Sequence, residues 1–374
     1  MPLRKLFLKD FTAFDELELE FSPGLNIFIG LNGTGKTHVM KVLYSACRTV
    51  DRKVSFPQKL VSCFGTEAHK ISRLVRRSRG NNAARVSVEA GGREQQRTKE
   101  KLSCTFNRKT RHLDAEVTGR DGWERQSSKK NGIKNSIFIP AKEILANAYN
   151  LGAAVERGNV SFDDTYLDII NAAKIDLGTP VVMDGSQSNS LDESHIKSLE
   201  KIIGGKTLFD NGRDEFYLKK GYSKPEFNLV AEGVRKVALL WLLVKNGALP
   251  PGAILFWDEP DANINPTHIP ALVDFLIALQ HSGVQIFIAT HDYILAKYFE
   301  LRAMEPIAFF SFYDEKGTIN CEKKDSFKGL KHNTIMHAWE MLLDEVYRNF
   351  LLQGWKLEED WEMLLDEVYR DRME

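Results

Sequence analysis

Residues Gly30-Leu31-Asn32-Gly33-Thr34-Gly35-Lys36-Thr37 follow the apolar run Leu25 to Ile29 and precede the helix-like stretch Val39 to Cys47. They match G-x-x-x-x-G-K-[ST] in the strand, loop and helix setting that this phosphate-binding motif requires. Glycines let successive backbone N–H groups curl around phosphate oxygens, and the helix N-terminus adds positive potential. Lys36 then reaches the β- and γ-phosphates, and Thr37 coordinates Mg²⁺. The candidate nucleotide-binding residues are Gly30, Asn32, Gly33, Thr34, Gly35, Lys36 and Thr37.

A second chemical pattern lies far downstream. Ile254-Leu255-Phe256-Trp257-Asp258-Glu259-Pro260 is an apolar strand ending in two acids, the form of a Walker B segment. On a buried central strand, Asp258 holds Mg²⁺ through its water shell, while Glu259 faces the γ-phosphate and polarises the attacking water. An acidic pair after a strand says little alone, but after a P-loop it completes an ATP site. Val284 to Thr290, followed by His291-Asp292, is another apolar strand whose C-terminal edge carries a histidine, where ligands of such sheets bind. His291 is the candidate sensor of the γ-phosphate, and Lys36, Glu259 and His291 form the candidate catalytic set.

In these residues the chain resembles ATPases with ABC-type heads, in the RecF, SMC and OLD-like branch of AAA proteins. The resemblance is carried by Leu8-Lys9-Asp10-Phe11, the strand Leu25 to Gly30, the P-loop, Trp257-Asp258-Glu259-Pro260-Asp261-Ala262-Asn263 and Ala289-Thr290-His291-Asp292. It covers roughly Leu3 to Cys47 and Phe227 to Tyr313, and only loosely the middle third. It implies ATP and Mg²⁺ as cofactors and a homodimer or higher homo-oligomer that closes head to tail around ATP. It also implies a signature helix start that clamps the nucleotide of the opposite subunit; Val230-Ala231-Glu232-Gly233-Val234-Arg235-Lys236 is its counterpart, with Gly233 making the phosphate contact. Ala231 stands where a serine hydroxyl is common, and Arg235 or Lys236 is positioned to compensate. Asn263 resembles the residue that crosses the dimer interface. The family's Mg²⁺-binding Gln has no counterpart in Phe138 to Glu143. Known members further imply DNA, or an effector nuclease or toxin protein, as partners in DNA repair or phage defence. A scaffold that binds ATP with negligible turnover is the alternative, and a transporter motor subunit is disfavoured by the missing serine.

The elements needed to position these residues are legible from periodicity. Leu3 to Lys9 and Leu17 to Phe21 alternate as strands do, and Ser136 to Pro140 looks like a further core strand. Phe162 to Ile175 has helical spacing, and Lys206 to Phe209 with Glu215 to Leu218 around Asn211-Gly212 forms a hairpin pattern. A helix from Glu232 to Lys245, strand Ala253 to Trp257, helix Pro270 to Gln280, strand Val284 to Ala289 and helix Tyr293 to Glu300 close the series. Alternating β and α with unalternating strands argues a parallel, doubly covered sheet. The expected fold is α/β: a P-loop NTPase with an ABC-ATPase-like head, a mixed sheet flanked by helices, and an inserted helical and β lobe. The expected divisions are 1–50 (head with P-loop), 51–135 (basic insertion), 136–226 (core strand, helical insertion, hairpin), 227–330 (signature helix, Walker B, His switch) and 331–374 (helical tail).

Charge is distributed unevenly over a chain of 374 residues with zero net charge. Between Asp51 and Lys134 there are 21 Lys and Arg against 9 Asp and Glu. Arg73, Arg76, Arg77 and Arg79 form one cluster and Arg108, Lys109 and Arg111 another, which suits either a salt-dependent DNA surface or solvated loops. The tail from Trp339 carries 4 basic against 11 acidic residues. Within it, Trp339 to Arg348 recurs exactly as Trp361 to Arg370. Each copy is amphipathic, and the first is expected to pack on the core, the second to be accessory. No nuclease constellation is present; Lys331-His332-Asn333 with His337 reads as a solvated loop. Cys47, Cys63, Cys104 and Cys321 lack zinc-like spacing and are expected as reduced thiols. No apolar run approaches the roughly 20 residues needed to span a bilayer, so no membrane partner is expected and the chain is read as cytoplasmic.

Overall fold

The computed structural model describes residues 2–50, 53–77, 82–91, 99–111, 114–125, 132–149, 151–156, 162–175, 191–304 and 306–352. Arg79, part of the helical insertion and the second tail copy lie outside them.

Five strands run parallel in one sheet: β12 (Ile307–Glu315), β3 (Leu25–Gly30), β11 (Gln285–Ala289), β10 (Ile254–Asp258) and β7 (Ser136–Ile139), with β13 (Thr318–Lys324) antiparallel at the β12 edge. Every residue of β3, β7, β10 and β11 is buried, because both faces are covered. The strand period of two therefore sorts side chains between two cores. Ile27 and Ile29, Ile137 and Ile139, Leu255 and Trp257, and Ile286 and Ile288 face α7 (Glu232–Lys245) and α8 (Ile269–His281). The alternate positions carry aromatics on the opposite face, where Phe310, Phe28, Phe287, Phe256 and Phe138 form a row across five strands with ring centroids 5.0–6.3 Å apart. Each such pair contributes about 0.5–1.5 kcal/mol beyond its buried area.

That aromatic face packs on α1 (Lys36–Cys47), which is covered on its other side by a second sheet. This sheet is antiparallel, in the order β2 (Phe14–Glu20), β1 (Leu3–Phe11), β4 (Ala83–Gly91), β5 (Lys99–Asn107) and β6 (Glu116–Thr118). The basic segment thus supplies three strands to a sheet begun at the N-terminus: β4 pairs along β1 from Leu3 to Lys9. Gln285, 3% exposed, joins the two sheets by accepting from Leu3 N at 2.8 Å and donating to the carbonyls of Leu3 at 2.9 Å and Ser22 at 2.8 Å. A buried amide is costly unless so satisfied. Trp123, on α3 (Arg120–Glu124), locks the sheet to the helix by donating Nε1–H to Ala46 O at 2.9 Å.

The remaining described helices are α2 (Phe56–Phe64), α4 (Leu151–Glu156), α5 (Asp164–Ala173), α6 (Glu193–Ile203), α9 (Tyr293–Arg302) and α10 (Thr334–Leu352), with the hairpin β8 (Lys206–Asp210) and β9 (Glu215–Lys219). Asp163 caps α5 by accepting from Thr165 N at 2.9 Å, which sets that helix's start two residues inside the predicted span. No described helix is long and apolar enough to cross a membrane. All four cysteines are free thiols, and burial pushes those of Cys63 and Cys104 up to about 12.

The first tail copy departs from expectation. Ile335 and Met336 pack against the core, and Trp339 stacks on Tyr293 with centroids 4.7 Å apart and planes 5° from parallel. From there α10 runs off the body: Met341, Leu342, Leu343, Val346 and Tyr347 are 48–60% exposed.

Candidate functional site

Strand β3 delivers the chain into the loop, and α1 begins at Lys36 behind Gly35, which caps the helix with φ 89°. Lys36 folds back over the loop and donates Nζ hydrogens to Gly30 O at 2.8 Å and Leu31 O at 3.0 Å. Burial lowers its ammonium to about 8, against the opposing charges of Asp258 and Glu259. Thr37 donates its hydroxyl to Asp258 Oδ2 at 2.8 Å, joining residues 221 apart in sequence. Burial first, then the charge of Glu259, raises the Asp258 carboxyl, while the Thr37 hydrogen bond opposes this. A hydroxyl and a carboxylate so placed form a hard-oxygen pair of the kind Mg²⁺ takes while keeping most of its waters, so the residues present fit that ion.

Asn32, Gly33, Gly35, Lys36, Thr37, His38, Asp258, Glu259 and His291 line one cleft of about 230 Å³. Gly30 and Thr34 stand behind it: the first offers its carbonyl to Lys36, the second bonds Leu31 O at 2.8 Å. Across the cleft His291 Nε2 lies 3.9 Å from Glu259 Oε1. Burial first, then the Lys36 charge, lowers the His291 imidazole, so it is neutral near pH 7. Glu259 sits at φ 49°, a sparsely populated region for a residue with a side chain. It is held there from both ends of its backbone, donating N–H to Ala289 O at 2.8 Å and accepting from the buried Lys236 Nζ at 3.2 Å. Strain of this kind persists where the surroundings over-determine it.

Gly233 is not in this cleft. A Cβ there would stand 2.0 Å from the carbonyl oxygen of Asn263, so close packing on the loop after β10 demands a glycine. Ala231 offers no side-chain cap to α7. Arg235 and Lys236, the residues expected to compensate, both have partners within their own chain. Arg235 donates Nε–H to the buried Glu143 at 2.6 Å and Nη1 hydrogens to the carbonyls of Phe227 and Val230, and Lys236 is spent on Glu259. Glu143 thus occupies the β7 exit where a Gln was sought, bound to the signature-like helix rather than lining the cleft.

Several participants escaped sequence reading because their partners are distant. His38 lines the cleft and meets Thr12 Oγ1 through Nδ1 at 3.1 Å. Asp261 accepts from Thr290 Oγ1 at 2.6 Å, and Thr290 Oγ1 accepts from Asp292 N at 2.9 Å, which ties the loop after β10 to the strand end that carries His291. Elsewhere, Arg73 pairs with Glu67 and Arg76 with Asp15 at 2.9 Å, so part of the basic cluster is spent internally. His332 stacks on Tyr313, and Asn333 holds Phe327 O at 2.7 Å, which gives that segment a structural role.

A family model described as "AAA domain, putative AbiEii toxin, Type IV TA system" matches residues 25–296, from β3 through the P-loop, both strand-end acids and His291. The chain belongs to this AAA family. The DNA replication and repair protein RecF of Lactococcus lactis subsp. cremoris (strain SK11) is 31% identical over 93 residues, 25% of this chain and 26% of the relative. RecF of Cytophaga hutchinsonii is 47% identical over 49 residues, 13% of each chain. These matches span about a quarter or less of the relatives' length. Among solved structures, an SMC head bound to the C-winged helix domain of ScpA has TM-score 0.54 at 13% identity, covering 87% of this chain and 98% of that one. The SMC head with coiled coil and joint from Pyrococcus yayanosii has TM-score 0.52 at 12% identity, covering 91% and 99%. The fold of this family member is therefore the expected P-loop NTPase with an ABC-ATPase-like head.

Proposed function

We propose that this chain is a cytoplasmic ATPase that binds ATP and Mg²⁺, closes as a homodimer or higher homo-oligomer, and reopens on hydrolysis to gate an effector. The observation that carries the reading is the cleft in which the P-loop, the Thr37–Asp258 pair, Glu259 and His291 converge. Lys36 would leave the loop carbonyls for the β- and γ-phosphates, and Thr37 and Asp258 would hold the metal. When bound, Mg²⁺ neutralises charge developing on the phosphate oxygens. Glu259 would orient and polarise the attacking water, and neutral His291 would hydrogen-bond the γ-phosphate. Gly233, with Asn263 beside it, would meet the nucleotide of the opposite subunit. The RecF likeness and the toxin in the family description support DNA, or an effector nuclease or toxin protein, as the partner, with segment 51–135 as the basic contact surface.

Glu259→Gln tests this. The unmutated protein should release phosphate from ATP with Mg²⁺, and the variant should lose about 10²–10⁴-fold in rate while binding ATP as tightly or more so. Full activity in the variant would refute the role of Glu259. A second reading, an ATP-dependent scaffold with negligible turnover, is favoured by Ala231 and by the engagement of Arg235 and Lys236 within their own chain. Tight ATP binding without phosphate release from the unmutated protein would decide for it.

A further inference from the structure

We propose that the free part of α10 is a self-association surface: its apolar stripe packs antiparallel on the same stripe of a second copy of this chain, in a two-fold contact that needs no nucleotide. The surface lies outside the ATP cleft, so this proposal and the ATPase reading stand or fall separately.

The stripe follows from the sequence of the helix. At about 100° per residue, Trp339, Leu342, Leu343, Val346 and Tyr347 fall on one side of α10, while Asp344, Glu345 and Arg348 fall on the other. Met336, Trp339, Leu343, Val346 and Phe350 alternate spacings of three and four residues, the repeat by which one helix packs along another. The root of that repeat is already engaged. Asn333 caps the helix by accepting from Met336 N at 3.0 Å, Ile335 and Met336 pack against the core, and Trp339 stacks on Tyr293. Beyond it every residue from Glu340 to Asn349 is exposed. Six of the thirteen exposed large apolar side chains among the described residues lie on this one helix, which makes a contiguous patch rather than scattered surface. A helical stretch this short is marginal in water without a packed face, so it calls for a partner.

Charge and shape select the occupant. Glu340 and Tyr347 flank the stripe on one side, Leu342 and Asn349 on the other. When two copies pack antiparallel about an axis between Leu343 and Val346, Leu343 meets Val346 of the partner subunit. Glu340 then lies across from Tyr347 of the partner subunit, and Leu342 across from Asn349 of the partner subunit. No like charges face one another, and Asp344, Glu345 and Arg348 stay in water. One sequence thus satisfies both sides of the contact, as an isologous interface requires. Direction follows from the bodies at the helix roots. Packed helices lie about 8–10 Å apart, so a parallel pair would press two bodies together at one end. The antiparallel pair sets them at opposite ends of a free helix about 20 Å long, Glu340 to Leu352. An anionic lipid surface is the poorer fit, because Glu340, Asp344 and Glu345 outnumber Arg348 along this stretch.

The test is sedimentation of the full chain without nucleotide or Mg²⁺. The unmutated protein should run as a dimer, and Leu343→Glu with Val346→Glu as a monomer, with dissociation raised about a hundredfold or more, since four added charges enter one seam. The contact joins chains that are already folded, so melting of dilute protein should be unchanged by the same pair. A monomeric unmutated protein, or a variant that stays dimeric, would overturn the proposal. So would loss of the dimer in Leu365→Glu with Val368→Glu alone, which would assign the contact to the second tail copy. Should the charged variant not fold, cysteine pairs carry the comparison, because Cys47, Cys63 and Cys104 are buried. Leu343→Cys with Val346→Cys should oxidise to a disulfide-linked dimer and Asp344→Cys with Arg348→Cys should not; equal cross-linking of the two would count against the two-fold seam. A dimer formed by a protein that fails to release phosphate would sink the ATPase reading and leave this one intact.

Discussion

Asp261 gives a pH-dependent stability with a sign fixed by its surroundings. Burial is the largest influence on its carboxyl and raises it; the Thr290 hydroxyl and its own backbone N–H oppose, and the charges of Asp292 and Glu259 add to the rise, bringing it from 3.8 to about 6. A carboxyl raised on folding holds its proton more tightly in the folded state. Its contribution is full below the unfolded value near 3.8 and is lost as pH rises through about 6. The interval corresponds to a cost on the order of 3 kcal/mol at neutral pH, as an upper bound. Asp261→Asn keeps an acceptor for Thr290 and cannot ionise. Urea unfolding should therefore show the variant about 2–3 kcal/mol more stable than the unmutated chain at pH 8, with the gap closing towards pH 4. A gap that does not change with pH would refute the reasoning, since it would place the effect in packing rather than in the buried charge.

Gly233→Ala reverses the usual helix preference. Alanine is favoured over glycine in helices by about 1 kcal/mol, yet the clash with Asn263 O should make the variant less stable by about 1–3 kcal/mol, read as a lowered melting temperature. Arg235→Met leaves Glu143, whose side chain is 1% exposed, without its cation and should cost about 3–5 kcal/mol; adding Glu143→Gln should recover a large part, and strict additivity in that double-mutant cycle would show that the pair is not coupled. Leu342→Ser with Val346→Ser should change folding stability by no more than about 0.5 kcal/mol, because both side chains are half exposed. A loss of several kcal/mol in denaturant unfolding would mean that this tail copy is covered after all.

The P-loop and the acids of β10 were readable because their signals are local: a fixed spacing of glycines and lysine, and a run of apolar residues ending in carboxylates. The unalternating strands were readable for a related reason, since a strand covered on both faces needs apolar side chains at every position. Reading stopped at pairings set by contact. The family resemblance alone points Arg235 at a second subunit's nucleotide, whereas the acid that binds it within the chain, Glu143, lies 92 residues away. The amphipathic tail copy looked like a packing helix because periodicity reports a face, not whether a surface exists to receive it.

Chain chemistry alone specified a phosphate-binding loop, an acid-ended strand, and the alternation of strand and helix that carries them, because each depends on residues within one or two turns of one another. Three-dimensional packing decided the rest. It brought Thr37 to Asp258, set Glu259 at its strained angle between Ala289 and Lys236, placed the basic segment's strands beside β1, and put His38 under a turn from the first strand pair. Those contacts join residues from 23 to 221 positions apart in hydrogen bonds alone, distances over which no spacing rule in a linear sequence can choose one partner among many.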